Sequence, residues 1–479
     1  MPPTKRPLGE KKTPAVPEPA ELSPRDHPTS PSGLRGAGPT SPSGLPTSLF
    51  ELRGTSRGAG RRQPQKDEGE TLSPRDHRRL GAELDLFIID PMVGSGLPLW
   101  LPKGATIRRE LERFIIEEEL RAGYLHVITP HLGKAELYET SGHLPYYKDT
   151  MFPLMKVEGE EFVLKPMNCP HHIRIFQSRP RSYRDLPMRI AEFGTMYRFE
   201  KSGQLMGLTR VRGMTLNDAH IFCREDQIEA EIVKTLELIR RVYQTLGLTD
   251  YWVDLALHDP KNKKKYADNI ALWEQSEAAL RSALQHAGVK FTEAVGDAAF
   301  YGPKADIQMK DVAGHTFTVS TIQLDMLLPE RFGIEVTNEE GKAERPVIVH
   351  RGVIGTHERF IAFLIEHFNG LFPLWLAPIQ VRVLPVSQSA VAYATRVADA
   401  LRDGGLRAEL DESNETLPKK IRSAEVQKIP VMIVVGEKEQ QGNTVTLRAH
   451  GGKNLGVKSL ADALAFLRER VAQKSLTLG

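Results

Sequence analysis

Cysteine occurs twice in 479 residues, and one of the two stands in the phrase KPMNCPHH, Lys165 to His172. The residues that could join it around a metal lie far downstream, in Asp218-Ala219-His220 and His350-Arg351. A fold that brought Cys169, His220 and His350 together would give zinc three protein ligands and an open fourth position, the arrangement of catalytic zinc. Spacing alone does not fix such a site, because the gaps are 51 residues (220 − 169) and 130 residues (350 − 220), unlike those of a zinc finger. Taken singly, a cysteine is more often a small buried hydrophobe. Each histidine is more often a hydrogen-bonded core or surface residue.

A second set of groups suits phosphate chemistry. Arg198 and Glu200 stand on one side of the polar loop KSGQLMGLT, and Arg210 and Arg212 on the other. Two arginines converging across a hairpin mouth suit a polyphosphate, because guanidinium grips phosphate oxygens bidentately. A solvated charged hairpin is the alternative. Further on, VIVHRGVIGTHERFIAFLIEHF switches from strand to helix at Gly355, placing Glu358 and Arg359 in the first turns. From there an arginine can reach what the adjacent strand borders, or lie at the surface.

The elements that must position these groups are legible in the patterning. Ile107, Leu111, Phe114 and Ile115 recur at helical spacing, Gly123 ends that helix, and YLHVITP follows as a strand stopped by Pro130. Met188 to Glu200 and Val211 to Phe222 read as two extended segments joined by the polar loop. A helix with Ile228, Ile232, Ile239 and Val242 on one stripe ends before Gly247, and a mixed region holds AFYGPKADIQ and STIQLD. Near Pro378 the texture changes, and IQVRVLP, LRAEL, IPVMIVVG and TVTLRA alternate with helices as a small α/β domain.

Residues 1–82 read differently. They are rich in Pro, Gly, Ser and Arg, and TSPSGL and LSPRDH each occur twice, at Thr29 and Thr40 and at Leu22 and Leu72. Such composition does not bury enough apolar surface to offset chain entropy, so we expect a disordered, solvated tail. For the rest, 40% hydrophobic residues allow a substantial core, and Lys+Arg 64 against Asp+Glu 61 is too balanced to imply nucleic-acid binding by itself. Two cysteines exclude a disulfide framework and point to a reducing compartment. No apolar run approaches the roughly 20 residues that span a bilayer. The first residues also lack the apolar stretch of a secretory signal. A cytoplasmic protein with no membrane partner is expected.

From about Leu84 onward the chain resembles the threonyl-tRNA synthetase family of class II aminoacyl-tRNA synthetases. The resemblance rests on TSGH at 140–143, KPMNCP at 165–170, SYRDLP at 182–187, RVRG at 210–213, DAHIFC at 218–223, AFYGPK at 299–304, IQLD at 322–325 and LAPIQV at 376–381. Several unrelated phrases in order are far more specific than one motif. The resemblance implies an α+β catalytic core with a mainly antiparallel sheet at 83–377 and a small α/β anticodon-binding domain at 378–479. It also implies a homodimer acting on L-threonine, ATP and tRNA(Thr), with Mg2+ accompanying ATP.

Roles carry over by position. The helix and strand ending at Pro130 resemble motif 1, the dimer-forming element, while the Arg198 segment resembles motif 2 and Gly355 to Arg359 motif 3. Arg198 would hold the α-phosphate, Glu200 read the adenine, Arg210 reach the terminal phosphate and Arg359 stack on the adenine. His143 would assist transfer to tRNA. Met167, Asp218, Tyr301, Lys304 and Gln323 match positions around threonine and ATP, and Asp218 would accept the substrate hydroxyl. Cys169, His220 and His350 fall on the three zinc-ligand positions, one Zn2+ per subunit, whereas Cys223 matches no ligand and reads as packing. Zinc that takes both the amino group and the hydroxyl of threonine rejects valine strongly, while serine is discriminated only about 10–200-fold. In the C-terminal domain Glu439 and Arg448 match positions that read anticodon bases, and Lys419, Lys420 and Arg422 read as solvated charges.

Three departures stand out. Leu216 replaces a glutamine usual before the DAH phrase, and Thr318 and Ser320 replace a usual glutamine and glycine. The third is the low-complexity tail, found where relatives carry a small N-terminal domain and an editing domain, so seryl-tRNA is expected to go uncleared by this chain. A paralogue without aminoacylation would have lost Arg198, Arg210 and Arg359, and a carrier-loading adenylate enzyme would lack the C-terminal domain. Of the sister synthetases, the zinc-ligand positions argue against the proline enzyme and the C-terminal domain against the serine enzyme.

Overall fold

The computed structural model describes residues 72–479 apart from 264, 267 and 268. Eight strands form the sheet beneath the site: β1 (Leu125–His126), β2 (Met188–Tyr197), β3 (Gly213–Cys223), β4 (Trp252–Leu257), β5 (Phe291–Val295), β6 (Lys304–Lys310), β7 (Thr316–Asp325) and β8 (Val347–Gly352). Their order across the sheet is β5-β4-β6-β7-β8-β3-β2-β1. The two edge pairs are parallel and every pair between them is antiparallel, so the expected α+β core is present. Segments 188–200 and 211–222, read as two extended stretches, are the long hairpin β2–β3.

β3 is largely buried on both faces, unlike a half-solvated antiparallel strand, because helices close one side. These are α2 (Pro102–Arg121), α4 (Ile228–Thr245) and α6 (His357–His367), with α1 (His77–Glu83), α3 (Cys169–Phe176) and α5 (Ile270–His286) around them. Ile107, Leu111 and Phe114 of α2, Ile232 and Ile239 of α4, and Phe360 and Leu364 of α6 pack on Ile221, Ile322 and Val349 in one cluster. Pro102 opens α2 at a position where its missing N–H costs no hydrogen bond. Gly123, at φ +80°, takes the left-handed conformation that ends the helix.

Two boundaries differ from expectation. The strand predicted from Tyr124 to Pro130 is only Leu125–His126, because the Glu192 side chain takes the Thr129 N–H and hydroxyl and ends the ladder. Residues 72–82, expected to belong to the tail, are ordered instead. Asp76 caps α1 by accepting from the Arg78 N–H at 2.8 Å, and Leu80 is buried. A short apolar anchor hidden in polar composition suffices to order residues 72–82. The TSPSGL repeats and the first LSPRDH lie outside the described residues.

After residue 378 a second sheet follows: β9 (Val381–Pro385), β10 (Ala408–Leu410), β11 (Val431–Val435), β12 (Thr444–Ala449) and β13 (Asn454–Ser459), in the order β10-β9-β11-β12-β13. Helices α7 (Val391–Asp403), α8 (Leu417–Val426) and α9 (Leu460–Ala472) accompany it. The two cores part near residue 378: Leu376 and Ala377 pack in the first, Val381 and Val383 in the second. Arg407 ties them, pairing with Glu110 at 3.3 Å and donating to the Ala377 and Trp375 carbonyls. Among the described residues no helix is long and apolar enough to cross a membrane.

Candidate active site

Strand register explains how residues so far apart in sequence meet. Lys304 of β6 lies opposite Gln323 of β7, Gln323 opposite His350 of β8, and His350 opposite His220 of β3. Directly opposed residues project from the same face, so these four form one row across four strands. Asp218, two positions along β3 from His220, shares that face. Cys169 reaches the row from the first position of α3, and the ligand atoms of Cys169, His220 and His350 lie within 4.8 Å of one another, all buried. Tetrahedral zinc spaces such atoms about 3.3–3.8 Å apart, within a small adjustment of this arrangement.

The histidines are also oriented for a metal. Glu192 is an acceptor, so His172 donates to it from Nε2 at 3.1 Å and accepts from His220 Nδ1 at 2.7 Å through its own Nδ1. That leaves His220 Nε2 with a free lone pair. His350 donates from Nε2 to Asp325 Oδ2 at 2.8 Å and keeps Nδ1 free. Ligand histidines tethered by the other ring nitrogen are the usual support of a metal centre. Burial, with His350 and His172 nearby, pushes the His220 pKa well down, so its ring is neutral. Burial and the Asp218 and Asp325 carboxylates push the Cys169 thiol well up, a pattern that a divalent cation would reverse. Glu192 resists its own burial, and the His172 bond and the Lys165 ammonium hold its carboxyl below the usual range.

Around this row stand the other predicted residues. Tyr301 stacks on His350 at 5.0 Å, and its hydroxyl donates to Gln323 Oε1 at 2.5 Å. Lys304 pairs with Asp306. Asp218 accepts from Asn168 Nδ2 at 3.0 Å, while the buried Asn168 Oδ1 has no partner. At Gly194 a Cβ would lie 2.4 Å from that amide, so β2 needs glycine there. His143 is buried, with Nδ1 against Ser141 Oγ at 2.8 Å and Nε2 3.6 Å from the Cys169 sulfur. Burial, with His350 and Arg331, lowers its pKa to about 3, so the ring is neutral.

The basic groups border the same face. Arg198 lies 3.5 Å from the Met167 sulfur, and burial lowers its pKa. Arg359 donates to the Thr209 carbonyl at 3.0 Å and the Thr318 carbonyl at 2.9 Å, and its guanidinium lies 5.4 Å from the Phe317 ring centre. Burial, reinforced by Arg198 and Arg210, lowers its pKa to about 10. Arg210 and Glu200, expected to take different parts of one ligand, pair with each other at 2.9 Å. Arg212 is structural, donating to the Glu200 and Ser95 carbonyls.

The departures have local accounts. Ser320 donates to the Val353 carbonyl and contacts the Tyr243 hydroxyl at 2.5 Å, so its side chain fills a buried polar niche. Thr318 donates to Gln308 Oε1 at 3.1 Å beside a bulge, and its carbonyl steadies Arg359. Leu216 packs against Met196, Val211 and Met214. Cys223 is buried packing, its thiol pushed up to about 12 by burial and Glu231.

In the C-terminal domain Glu439 accepts from the Gly436 N–H and the Thr446 hydroxyl, and Arg448 Nε is buried without a partner. Lys420 corrects the expectation of a solvated charge: it is buried and donates to the Pro385 and Asp411 carbonyls, because the α8 turn directs it inward. Lys419 pairs with Glu415 at 2.6 Å. Sequence reading missed His172 and Asp325, which hydrogen-bond the candidate ligand histidines His220 and His350, and Glu192, which holds His172. The Cys169-to-His172 spacing of three on a helix was the available signal for the first.

Comparison with known proteins places these features in context. Residues 152–368 match the tRNA synthetase class II core domain (G, H, P, S and T), and residues 380–470 match an anticodon binding domain. A threonine--tRNA ligase from Geobacillus sp. (strain WCH70) is 54% identical over 398 residues, covering 83% of this chain and 62% of that protein. The chain thus spans a little under two thirds of the length of the curated relatives it matches. A crystal structure described as the RNA binding domain of threonyl-tRNA synthetase from Cryptosporidium parvum Iowa II has a TM-score of 0.78 at 38% identity, covering 84% of this chain and 99% of that one. The structure of putative threonyl-tRNA synthetase ThrRS-1 from Aeropyrum pernix has a TM-score of 0.73 at 30% identity, covering 84% and 98%.

Proposed function

The chain belongs to the threonyl-tRNA synthetase family, and from that premise we propose that it activates L-threonine with ATP and transfers it to the 3′ end of tRNA(Thr). One observation carries the reading: Lys304, Gln323, His350 and His220 form a single row across the sheet, with Cys169 above it and Asp218 on the same face. In the first step a threonine carboxylate oxygen attacks the α-phosphorus of ATP, the bond to the bridging oxygen breaks, and pyrophosphate leaves with Mg2+. Arg198 and Arg210 neutralise phosphate charge, Arg359 and Glu200 hold the adenine, and Lys304 and Gln323 orient the substrates. In the second step a terminal ribose hydroxyl attacks the carbonyl carbon, its proton passes to the phosphate of the departing AMP, and neutral His143 assists the transfer by orienting the reacting groups. Catalysis here is mainly positioning and charge complementarity.

Cys169, His220 and His350 would hold zinc, which when bound supplies a Lewis-acidic position for the amino group and hydroxyl of threonine. Asp218 accepts the hydroxyl proton, so valine leaves a buried acceptor unpaired whereas serine does not. Exposed apolar residues, Leu125 at 58% on the β1 edge, Ile128 at 97% just beyond it and Leu120 at 57% in the last turn of α2, support a homodimer through this region. Glu439 and Arg448 read anticodon bases, and the two unpaired cysteines support a cytoplasmic setting. ATP–pyrophosphate exchange with threonine, serine and valine, before and after zinc removal, tests the activity. The expected result is threonine-dependent exchange that fails without zinc; exchange surviving complete zinc loss overturns the recognition scheme.

A further inference from the structure

A second buried cluster lies away from the row. Asp76, His77 and Glu366 bring three ligand-type groups within 4.8 Å, but their hydrogen bonds describe a latch. Glu366 Oε1 accepts from the His77 N–H at 3.1 Å and from His77 Nδ1 at 2.7 Å, and Oε2 accepts from the Val312 N–H at 2.9 Å. With its proton on Nδ1, His77 accepts at Nε2 from the Leu208 N–H at 3.2 Å. Arg75 reinforces the attachment by donating to the Glu366 and His367 carbonyls. Gly207 makes the approach possible: a Cβ there would lie 2.3 Å from His77 Nε2, and its φ is +47°. Leu208 belongs to the loop between β2 and β3, and the next residue, Thr209, gives its carbonyl to Arg359.

We propose that His77 is a positioning residue for ATP, fixing the β2–β3 loop so that Arg210 and Arg359 meet the nucleotide in register. Arg359 and Glu366 lie seven residues apart on α6, nearly two turns, so the helix grips neighbouring residues of one loop at two points. Arg359 holds Thr209 directly, and Glu366 holds Leu208 through His77. The inference rests on the ATP site proposed above.

The test compares wild type with His77→Asn, His77→Gln and Gly207→Ala by exchange kinetics and by calorimetric ATP binding. Asparagine keeps an N–H near the Nδ1 position but nothing at Nε2, whereas glutamine can present an acceptor there. Leaving the Leu208 N–H unpaired in a buried site should raise KM and Kd for ATP about tenfold in His77→Asn and Gly207→Ala. KM for threonine should stay within about twofold of wild type, and His77→Gln should recover most of the loss. Unchanged ATP affinity in His77→Asn and Gly207→Ala, or parallel losses for ATP and threonine, overturns the assignment. If His77→Asn does not fold, Gly207→Ala tests the same contact from the loop. A wild type without threonine-dependent exchange would refute the activity instead, and ATP binding would still decide the latch.

Discussion

Replacing Glu358 by glutamine should make the protein more stable at pH 8 and leave it little changed near pH 4.5. Glu358 is almost fully buried, with Oε2 accepting from the Thr215 N–H at 3.0 Å and Oε1 3.5 Å from an Arg108 nitrogen. Burial raises its pKa from the ordinary 4.5 to about 7, more than Arg108 and the backbone bonds lower it. Because the folded-state value is the higher one, the folded chain holds a proton between those limits that the unfolded chain has released. Its contribution to stability is therefore full below about pH 4.5 and is lost as pH rises through about 7. At 1.36 kcal/mol per pH unit the span corresponds to about 3 kcal/mol. Glutamine keeps a carbonyl for the Thr215 N–H and does not titrate. In urea unfolding from pH 4.5 to 8.5, the stability of Glu358→Gln minus wild type should climb from near zero by about 3 kcal/mol, most of it before pH 7.5. Taking the difference cancels groups common to both proteins. A difference that is flat with pH, or larger at pH 4.5 than at pH 8, refutes the reasoning.

Other outcomes follow from the site. Asp218→Ala should reduce threonine kcat/KM in exchange about 100-fold with KM for ATP nearly unchanged, since the partner proposed for its carboxylate is the substrate hydroxyl. Cys169→Ala should abolish stoichiometric zinc, measured by elemental analysis. Ser320→Gly should cost about 1–2 kcal/mol in urea unfolding, through the lost bonds to Tyr243 and the Val353 carbonyl, with exchange kinetics within about twofold. Ile128→Asp, placing charge on the most exposed apolar residue of the region around the β1 edge, should shift sedimentation from dimer to monomer while circular dichroism stays unchanged.

What was legible in the sequence depended on range. The α2 stripe, the β2–β3 hairpin and the small C-terminal domain were carried by local periodicity and turn residues. Cys169, His220 and His350 were not, because their meeting is made by strand pairing over 51 and 130 residues, which no local pattern encodes. Only the ordered set of phrases shared with a known family brought them forward. His172, Glu192 and Asp325 stayed hidden because a histidine or carboxylate that orients another side chain leaves no spacing signature. Composition misled twice: Leu80 anchors a stretch that reads as tail, and Lys420 turns inward although its neighbours are charged.

Because ladder register aligns the row, its geometry is indifferent to how much chain lies between its members. Closing a loop twice as long costs only about 0.6 kcal/mol more, so insertions between β3 and β8 could accumulate without moving a ligand. A slip of one residue in β8 is another matter. It would bring Val349 or Arg351 opposite His220 and turn His350 to the opposite face, dispersing the candidate ligand set while leaving the strand hydrogen-bonded. On the zinc reading proposed above, metal content is then a ruler for strand alignment, because a preparation that holds stoichiometric zinc has β3 and β8 paired in step.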